Sequence, residues 1–507
     1  MQKKRYRFIL FIILAFLFIP LFVGITVRAE VDRESEYSDF SDMNGKKIAM
    51  LTGAPFEELI KSKVPEVGSL EYFPNLPDMT MALKTKKIDA YLMNNALAEL
   101  SVNKDESLAI FPENLGENTF GIAFAKGSKE REKWQQAFNE IDQEAIKELW
   151  DKWTGADYSI KTIPDQSWPG ANGTVKAAVC DTLEPMSYVA DGKLVGFDVE
   201  LILMMAEKLD VHVDFVGMEF ASIMSEVESG KALLGAGSII ATDDRKEVMD
   251  FVEYYPAAFV LVTRSNLAQD SSVSLVDKVK QSFYRTFVKE SRYKMILSGL
   301  FLSCLIAVTS GIMGAALAIL LVILRHKDIK FFNKLISIFS SIITGVPVVV
   351  ILMVLYYIVF GFANVPAVLV AIIGFTIIFG IRVFGVIWNA LRAVDPGQRE
   401  AALALGYSEK LAFRKVVLPQ ARNIYLPLIK TQFVMLFKET SVAGYITVVD
   451  LTRAGDLIRS RTMDAFFPLI SIAIIYFVLA WVFAKVIDFV DFKTNTRKGN
   501  RKIKGVD

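Results

Sequence analysis

A hydroxyl and a guanidinium stand three residues apart in Thr242-Asp243-Asp244-Arg245-Lys246, at the expected start of a helix. The amides of a helix N-terminus and the fork of an arginine side chain can together hold a carboxylate through parallel hydrogen bonds. This motif therefore indicates a site for a small molecule that carries a carboxylate. The alternative interpretation is that Arg245 is a surface residue of the helix.

A second informative stretch lies between long apolar blocks and reads EAALALGYSEKLAFRKVVLPQA, from Glu400 to Ala421. It predicts a short helix that ends at Gly406, a residue suited to a left-handed cap. A second helix running to Leu418-Pro419 should follow. Taken alone, the string EAALALG indicates only a stable helix. Its position between the apolar blocks is what indicates a specific role for that helix.

Other kinds of chemistry find little support in this sequence. No nucleophile and histidine are arranged as in a hydrolase, and the nucleotide-binding pattern Gly-x-x-x-x-Gly-Lys-Ser/Thr does not occur. The two cysteines, Cys180 and Cys304, and the two histidines, His212 and His326, are far apart in the chain. We therefore expect no disulfide, no metal site, no cofactor and no enzyme activity.

Charge divides the chain of 507 residues, of which 53% are hydrophobic, into two halves. Between Glu30 and Ala268 there are 42 acidic and 23 basic residues, and the rest of the chain has 14 acidic and 34 basic residues. An acidic half outside a membrane and a basic half within it is the distribution that the positive-inside rule produces. The basic residues flank apolar runs instead of forming a stripe, so nucleic-acid binding is not expected.

Uncharged runs predict several crossings of a lipid bilayer. Phe8–Val27 follows four basic residues and is long enough to span, so residues 1–29 form either an uncleaved anchor or a cleaved signal segment. Residue 30 onward is then exported, and the external segment before the last span contains Arg453, Arg459 and Arg461. Five further spans are predicted: Met295–Leu324, two within Leu335–Ile381 separated by an external turn at Gly361–Pro366, Leu426–Val449, and Ala465–Ala484.

The second half resembles a known family of transport proteins. Glu400-Ala401-Ala402, Gly406 and Leu418-Pro419 are similar to the EAA coupling loop of ABC importer permeases. Five spans with this loop between the third and the fourth, and the segment KETSVAG at 438–444, resemble the polar amino-acid importer permeases. The resemblance implies a permease domain at 290–492, a dimer of this domain (a homodimer), and a separate ATPase subunit that binds ATP.

The first half resembles a type 2 periplasmic binding protein. Three segments in 174–264 are similar to the first lobe of such a protein: Glu184-Pro185-Met186-Ser187-Tyr188, Gly196-Phe197-Asp198-Val199-Glu200, and Thr242-Asp243-Asp244-Arg245-Lys246. Three segments in 40–155 are similar to its second lobe and closing helix: Asn44–Ala49, Lys86–Ala90 and Glu148–Gly155. The usual order of the lobes is reversed here. Residues 40–264 are thus interpreted as one binding domain in permuted order, since permutation at loop tips is tolerated, with two partial domains of a tandem as the alternative.

The resemblance also implies roles for residues of a ligand pocket. Arg245 and Thr242 would hold the α-carboxylate of the substrate, with Ser238 nearby as a hydroxyl donor. The opposite lobe usually offers an aspartate to the α-ammonium, and here that position is Asn94. Because asparagine is a neutral and weaker acceptor, the ligand is not an ordinary α-amino acid, or affinity arises elsewhere, or the domain no longer binds.

Two residues of the first-lobe segment, Glu184 and Tyr188, and Asp181 just before it bear on the same pocket. Tyr188 is kept in the motif. Glu184 and Asp181 are each expected either to contact an ammonium from the first lobe or to be solvated turn residues.

In the third predicted span, Arg382 is an ionisable residue in apolar surroundings. Glu439 is a candidate partner, although Lys438 and Glu439 can also pair with each other.

The sequence therefore predicts a multi-domain protein of the cell membrane. It has an external, extracellular or periplasmic, two-lobed α/β binding domain and an all-α permease domain of five transmembrane helices. The function that follows from the resemblance is the membrane and substrate-capture subunit of an ABC importer for polar amino acids or similar small solutes. The alternative is a membrane sensor or receptor with degenerate binding lobes, which would have no need of an ATPase-docking helix.

Overall fold

The structure is a computed structural model that describes residues 34–155, 157–266, 275–361, 365–462, 464 and 466–494. The predicted anchor or signal segment, 1–29, lies outside the described residues. The same is true of 362–364 in the predicted external turn and of the basic tail beyond residue 494. An α/β part precedes a helical part, as the sequence predicts.

One sheet of eight strands forms the centre of the α/β part, in the order β2-β1-β3-β11-β4-β10-β5-β9. A smaller sheet contains β6, β7 and β8. The strands are β1 (Lys47–Leu51), β2 (Ser69–Phe73), β3 (Ala90–Asn94), β4 (Leu108–Ala125), β5 (Thr174–Cys180), β6 (Thr182–Leu183), β7 (Ser187–Ala190), β8 (Lys193–Val195), β9 (His212–Met218), β10 (Leu234–Ala236) and β11 (Met249–Arg264).

The sheet has two halves that are joined by its two longest strands. The second-lobe half is β2-β1-β3, from segment 40–155, and the first-lobe half is β10-β5-β9, from segment 174–264; each half is parallel. Strands β4 and β11 pair antiparallel with each other along their length. Strand β4 comes from the second-lobe segment and pairs with β10, while β11 comes from the first-lobe segment and pairs with β3. Each segment thus sends one strand into the other lobe.

Helices cover the sheet, and polar side chains fix where several of them begin. Asn75 accepts a hydrogen bond from the backbone N–H of Asp78, and Asn94 accepts one from that of Leu97, which satisfies amides that an isolated helix leaves unpaired. The helices are α1 (Glu57–Lys63), α2 (Leu76–Lys84), α3 (Asn95–Lys104), α4 (Lys129–Asn139), α5 (Gln143–Thr154), α6 (Phe197–Lys208), α7 (Phe220–Glu228) and α8 (Asp243–Val248).

The predicted closing helix is α5, and it packs against the helix of the other segment. Trp153 is fully buried, and its Nε1–H donates to Glu200 of α6 at 2.7 Å. Lys152 forms an ion pair with the same carboxylate, also at 2.7 Å. A single glutamate of the first-lobe segment therefore anchors the end of the second-lobe segment.

The helical part begins with α9 (Leu275–Phe283) and continues with α10 (Tyr293–His326), α11 (Lys330–Gly345), α12 (Val348–Met353), α13 (Ala367–Arg392), α14 (Pro396–Ala404), α15 (Glu409–Ala412), α16 (Leu418–Glu439), α17 (Leu451–Thr462) and α18 (Phe466–Thr494). Within the described ranges, three helices are long and apolar enough to cross a membrane: α10, α13 and the Phe466–Phe489 part of α18. Lys330–Gly345 and Val348–Val359, bent by 115°, make a fourth if they count as one span.

The remaining predicted span, Leu426–Val449, has boundaries that differ from the structure. Its helix, α16, starts earlier and ends at Glu439, and a 3₁₀ segment, Thr440–Ile446, follows. It is not among the helices that are long and apolar enough to cross a membrane. The physical reason is that the helix itself contains charged residues, among them Arg422, Lys430 and Lys438. One of them, Lys430, pairs with Asp488 of α18 at 2.5 Å. Five apolar spans were predicted, and this helix is more polar than that prediction assumed.

The predicted partner of Arg382 is confirmed. Both carboxylate oxygens of Glu439, at 2.8 and 2.6 Å, accept hydrogen bonds from Nη1 of Arg382. A charge in apolar surroundings is costly unless it is paired, and this ion pair joins α13 to α16.

Candidate functional site

A small cavity lies where the two lobes meet. It measures about 40 Å³, which is room for about three water molecules. Its lining is mostly apolar and includes Phe56, Leu92 and Met93 from the second-lobe segment and Leu183, Phe220 and Phe259 from the first-lobe segment. The polar side chains among the lining residues are Asn94 and Ser238, both of which the sequence predicts as site residues.

Asn94 and Ser238 meet across the cleft, with Nδ2 of Asn94 3.3 Å from Oγ of Ser238. Asn94 is held because it also caps α3. Ser238 has a left-handed backbone (φ 58°), and its N–H donates to Oδ2 of Asp198 at 3.0 Å. Burial raises the pKa of Asp198 to about 6, and the hydroxyl of Tyr254 donates to the other oxygen of that carboxyl at 2.5 Å. A buried acid therefore fixes the loop that presents Ser238.

Arg245 and Thr242 do not line this cavity, although Arg245 contacts residues at or next to its lining. The guanidinium of Arg245 donates to the backbone oxygens of Ile240, at 3.0 Å, and Gly53, at 2.8 Å. It lies 5.7 Å from the ring centroid of Phe220. Because Gly53 belongs to the second-lobe segment, Arg245 connects the two lobes. Burial lowers the pKa of its guanidinium to about 10.

The hydroxyl of Thr242, just before α8, is buried and has no hydrogen-bond partner within the described part of the chain. Of the predicted site residues, Asn94 and Ser238 line the cavity, and Arg245 and Thr242 do not.

Glu184 and Tyr188 lie in a different place, against the helical part. Glu184 is 5% exposed and forms ion pairs with Lys104, at 2.6 Å, and with Arg461 of α17. Although burial favours the neutral carboxyl, Lys104 and Arg461 lower the pKa of Glu184 to about 2, so it is ionised at neutral pH. The Arg461 guanidinium lies 4.6 Å from the ring centroid of Tyr188. These two side chains do not line the cavity.

Helix α17 carries two more buried arginines that pair with the α/β part. Arg453 forms ion pairs with Asp181 and with Glu219, the latter at 3.2 Å. Arg459 pairs with Asp78 at the start of α2. We call Arg453, Arg459 and Arg461 with these carboxylates the arginine contact. It reaches both lobes, since Asp78 belongs to the second-lobe segment and the other partners belong to the first.

Sequence reasoning placed these arginines in an external segment and missed their partners. The available signal was three arginines in a short segment between apolar runs, together with the acidic excess of the first half. The partner of Asp181 is a guanidinium of the same chain, 272 residues away.

The loop that contains Glu400 has the predicted left-handed cap. Helix α14 starts after Asp395, whose side chain accepts from the N–H of Gly397 at 2.9 Å. Gly406 has a φ of +84°, a conformation that glycine adopts at helix ends without strain. Glu400 and Ala401 are exposed, whereas Ala402 is buried.

A bidentate ion pair connects the two short helices of this loop. Nε and Nη2 of Arg399 donate to the two carboxylate oxygens of Glu409 at 3.0 and 2.7 Å. Leu418-Pro419 lies within a continuous helical stretch, since a π-helical turn, Phe413–Val417, leads directly into α16. The predicted second helix therefore does not end at Leu418-Pro419.

Comparison with known proteins finds similarity to two kinds of protein. The sequence pattern of the bacterial extracellular solute-binding proteins, family 3, matches residues 175–419. The L-cystine transport system permease protein TcyB of Bacillus subtilis (strain 168) is 27% identical over 205 residues, which are 39% of this chain and 86% of the relative. The probable amino-acid ABC transporter permease protein YckA of the same organism is 28% identical over 205 residues, 40% of this chain and 89% of the relative.

One stretch of the chain is thus similar to extracellular solute-binding proteins, and about two fifths of the chain is similar to ABC permeases. A third relative, the putative glutamine transport system permease protein GlnP of Rickettsia prowazekii (strain Madrid E), is 28% identical over 198 residues, 38% of this chain and 91% of the relative. The solute-binding match begins in β5 and continues beyond Arg264 into the helical part. Segment 40–155 lies outside the match, although its strands complete the same sheet.

Two solved structures are also similar to parts of this chain. A crystal structure of an amino acid ABC transporter with histidines is 29% identical, with a TM-score of 0.38, and covers 44% of this chain and 100% of that chain. The zinc-bound ligand-binding component of an ABC-type import system from Staphylococcus aureus is 14% identical, with a TM-score of 0.26, and covers 49% of this chain and 74% of that chain.

Proposed function

We propose that this chain is the membrane and substrate-capture subunit of an ABC importer for polar amino acids or similar small solutes. The observation that carries the proposal is the presence of a solute-binding domain and a permease domain in one chain. The relatives above are named as permeases for cystine, glutamine or amino-acid transport, so the proposed role is transport without catalysis. The sensor alternative is not favoured, because these relatives are permeases.

A separate ATPase supplies the energy in this proposal. The surface proposed to receive it, which we call the coupling surface, consists of Glu400, Leu405, Tyr407 and Leu411. Leu405 is 80% exposed, and Tyr407 and Leu411 are also exposed. Exposed apolar side chains that cluster beside a charge are typical of protein docking sites. A groove on the ATPase that takes up the short helix α14 would cover them.

The binding domain is proposed to be residues 40–264, in permuted order and outside the membrane. The single eight-stranded sheet supports this division, since β4 and β11 each cross between the lobes. Two partial domains would each form a sheet of their own. The permease domain is proposed to be 290–492, and two copies of it, in a homodimer, would complete a transport pathway.

Uptake into vesicles tests the proposed function. The tagged full chain should copurify with an ATPase subunit. Proteoliposomes that contain both proteins should take up labelled amino acids or related solutes only when ATP is present on the side of the membrane that carries the ATPase. Vesicles without the ATPase are the control. Uptake that does not require ATP, or no uptake of any such solute, would contradict the proposal.

Arg245 is the residue proposed to hold the carboxylate of the ligand. We expect Arg245→Ala to weaken binding of the transported solute by at least ~2 kcal/mol, because one side of a charge-assisted pair is lost. Calorimetry on the full chain in lipid nanodiscs measures this. Lys246→Ala, which removes the neighbouring exposed charge, should change affinity by less than about 0.5 kcal/mol. An unchanged affinity in Arg245→Ala would exclude the role.

A further inference from the structure

The arginine contact attaches one helix, α17, to both lobes. Arg459 pairs with Asp78 in the second-lobe segment, whereas Arg453 pairs with Asp181 and Glu219 in the first-lobe segment. Both arginines are 4% exposed, and ion pairs that are shielded from water are stronger than exposed ones. The two lobes are therefore connected to each other through α17 as well as through β4 and β11.

These contacts lie beside the cleft between the lobes. Glu219 immediately precedes Phe220 in the chain. Thr182, whose backbone oxygen accepts a hydrogen bond from the hydroxyl of Ser460 in α17, immediately precedes Leu183. Phe220 and Leu183 both line the cavity. Helix α17 consequently holds the lobes next to the space that they enclose.

A direct ion pair also joins the lobes, and it shares its carboxylate with α17. Lys104 of α3, in the second-lobe segment, lies 2.6 Å from Oε2 of Glu184, in the first-lobe segment. The same oxygen pairs with Arg461 of α17. One buried glutamate therefore connects side chains of the second lobe and of α17 to the first lobe.

Hydrogen bonds also cross the cleft without α17. Asn94 donates to Ser238 over 3.3 Å, and Arg245 donates to the backbone oxygen of Gly53 at 2.8 Å. Each of these bonds includes at most one charged group, so each is weaker than a hydrogen bond between opposite charges. The ion pairs of α17 are thus the stronger connection between the lobes at the cleft.

Close packing fixes α17 to the permease helices. A Cβ added to Gly455 of α17 would lie 1.6 Å from Cδ1 of Ile472 in α18, and one added to Gly299 of α10 would lie 2.7 Å from the backbone oxygen of Asp450. The first N–H of α17 also donates to Oγ of Ser303 in α10, at 3.0 Å. Since such packing leaves no room for independent movement, a lobe that is attached to α17 is attached to α10 and α18 as well.

We propose that α17 is a latch that keeps the two lobes together independently of solute, and that the cleft opens only when the pair of Arg459 and Asp78 breaks. The contacts of this latch are between groups of the chain itself, so they need no solute to form. The inference rests on the proposed two-lobed binding domain and adds how access to its cleft is regulated.

The distance between the lobes tests the latch on the full chain in lipid nanodiscs, without ATPase and without added solute. Spin labels on Lys63→Cys and Glu207→Cys, both exposed positions, report this distance by double electron–electron resonance, with Cys180 and Cys304 replaced by alanine. The otherwise unmodified chain should give one narrow distribution. Arg459→Gln, which frees the second lobe from α17, should add a population more than about 2 Å longer, as in hinge movements of other proteins.

Two further variants complete this experiment. Asp78→Asn breaks the same ion pair from the side of the binding domain, so it should add the same longer population, and it decides the question if Arg459→Gln fails to fold. Arg399→Gln is the control, because it breaks an exposed ion pair with Glu409 in the loop that contains Glu400. It should leave the narrow distribution unchanged.

An unchanged distribution in either Arg459→Gln or Asp78→Asn overturns the latch. A broad distribution in the chain with Arg459 and Asp78 intact also overturns it, because the lobes would then separate while the pair is present. The importer proposal is judged separately by ATP-dependent uptake, since the distance between the lobes is measured with neither ATPase nor solute.

Discussion

Replacing Arg453 by methionine should loosen the attachment of the binding domain to the permease by about 3–5 kcal/mol. Arg453 is 4% exposed, and its partner Asp181 is 3% exposed. Removing the cation leaves the buried Asp181 and the partly exposed Glu219 without this counter-ion, and the cost of an uncompensated buried carboxylate exceeds that of the lost pair itself. Methionine keeps the apolar stem, so the effect reports the charge.

Hydrogen exchange at α17 measures this change on the full chain, because exchange from the docked state requires local opening. Arg399→Met is a matched control, since it breaks an ion pair whose side chains are 56% and 62% exposed and whose worth is about 1 kcal/mol or less. The triple variant Arg453→Met with Asp181→Asn and Glu219→Gln should recover part of the loss. Unchanged protection of α17 in Arg453→Met would show that the arginine contact is not what holds the two parts together.

Gly406→Pro combined with Glu400→Ala should abolish solute-stimulated ATP hydrolysis by the complex with the ATPase. Gly406 has a φ of +84°, and proline is confined to a φ of about −65°, so the turn after α14 cannot form as it does in the native chain. Loss of the exposed Glu400 removes the charged part of the coupling surface. Ligand binding to the external domain should not change, because both positions lie far from the cleft along the chain, in the loop proposed to contact the ATPase.

Gly406→Asn is the control for this result, since asparagine tolerates the left-handed conformation better than other residues do. It should retain most of the stimulated hydrolysis. The rate of ATP hydrolysis with and without solute and the affinity for solute are measured on the same preparations. Stimulation that survives in Gly406→Pro with Glu400→Ala would show that the coupling surface has been assigned to the wrong loop.

The sequence alone determined the features that depend on local conformation and on hydrophobic runs. The left-handed cap at Gly406 follows from the residue type and its place after a helix-forming string. The division into an acidic half and a basic, apolar half follows from composition and charge, and the α/β fold of the first half was implied by its resemblance to periplasmic binding proteins. The pair of Arg382 and Glu439 was one of two pairings that the sequence left open, because a charge in an apolar span needs a partner and Lys438 also stands next to Glu439.

Tertiary structure decided the features that join residues far apart in the chain. Strands β4 and β11 cross between the lobes because of the strands with which they pair. The local conformational preferences of their residues do not determine that pairing. The segment that contains Glu184 and Tyr188 predicts a turn, but it does not show which residue contacts that turn. In the structure the partner of Glu184 is Arg461 of α17, 277 residues away in the chain. The residue type of Asn94 was readable from the sequence. Which atom it presents to the cleft depends on the cap of α3, because one amide cannot present its oxygen to the helix and to the ligand at once.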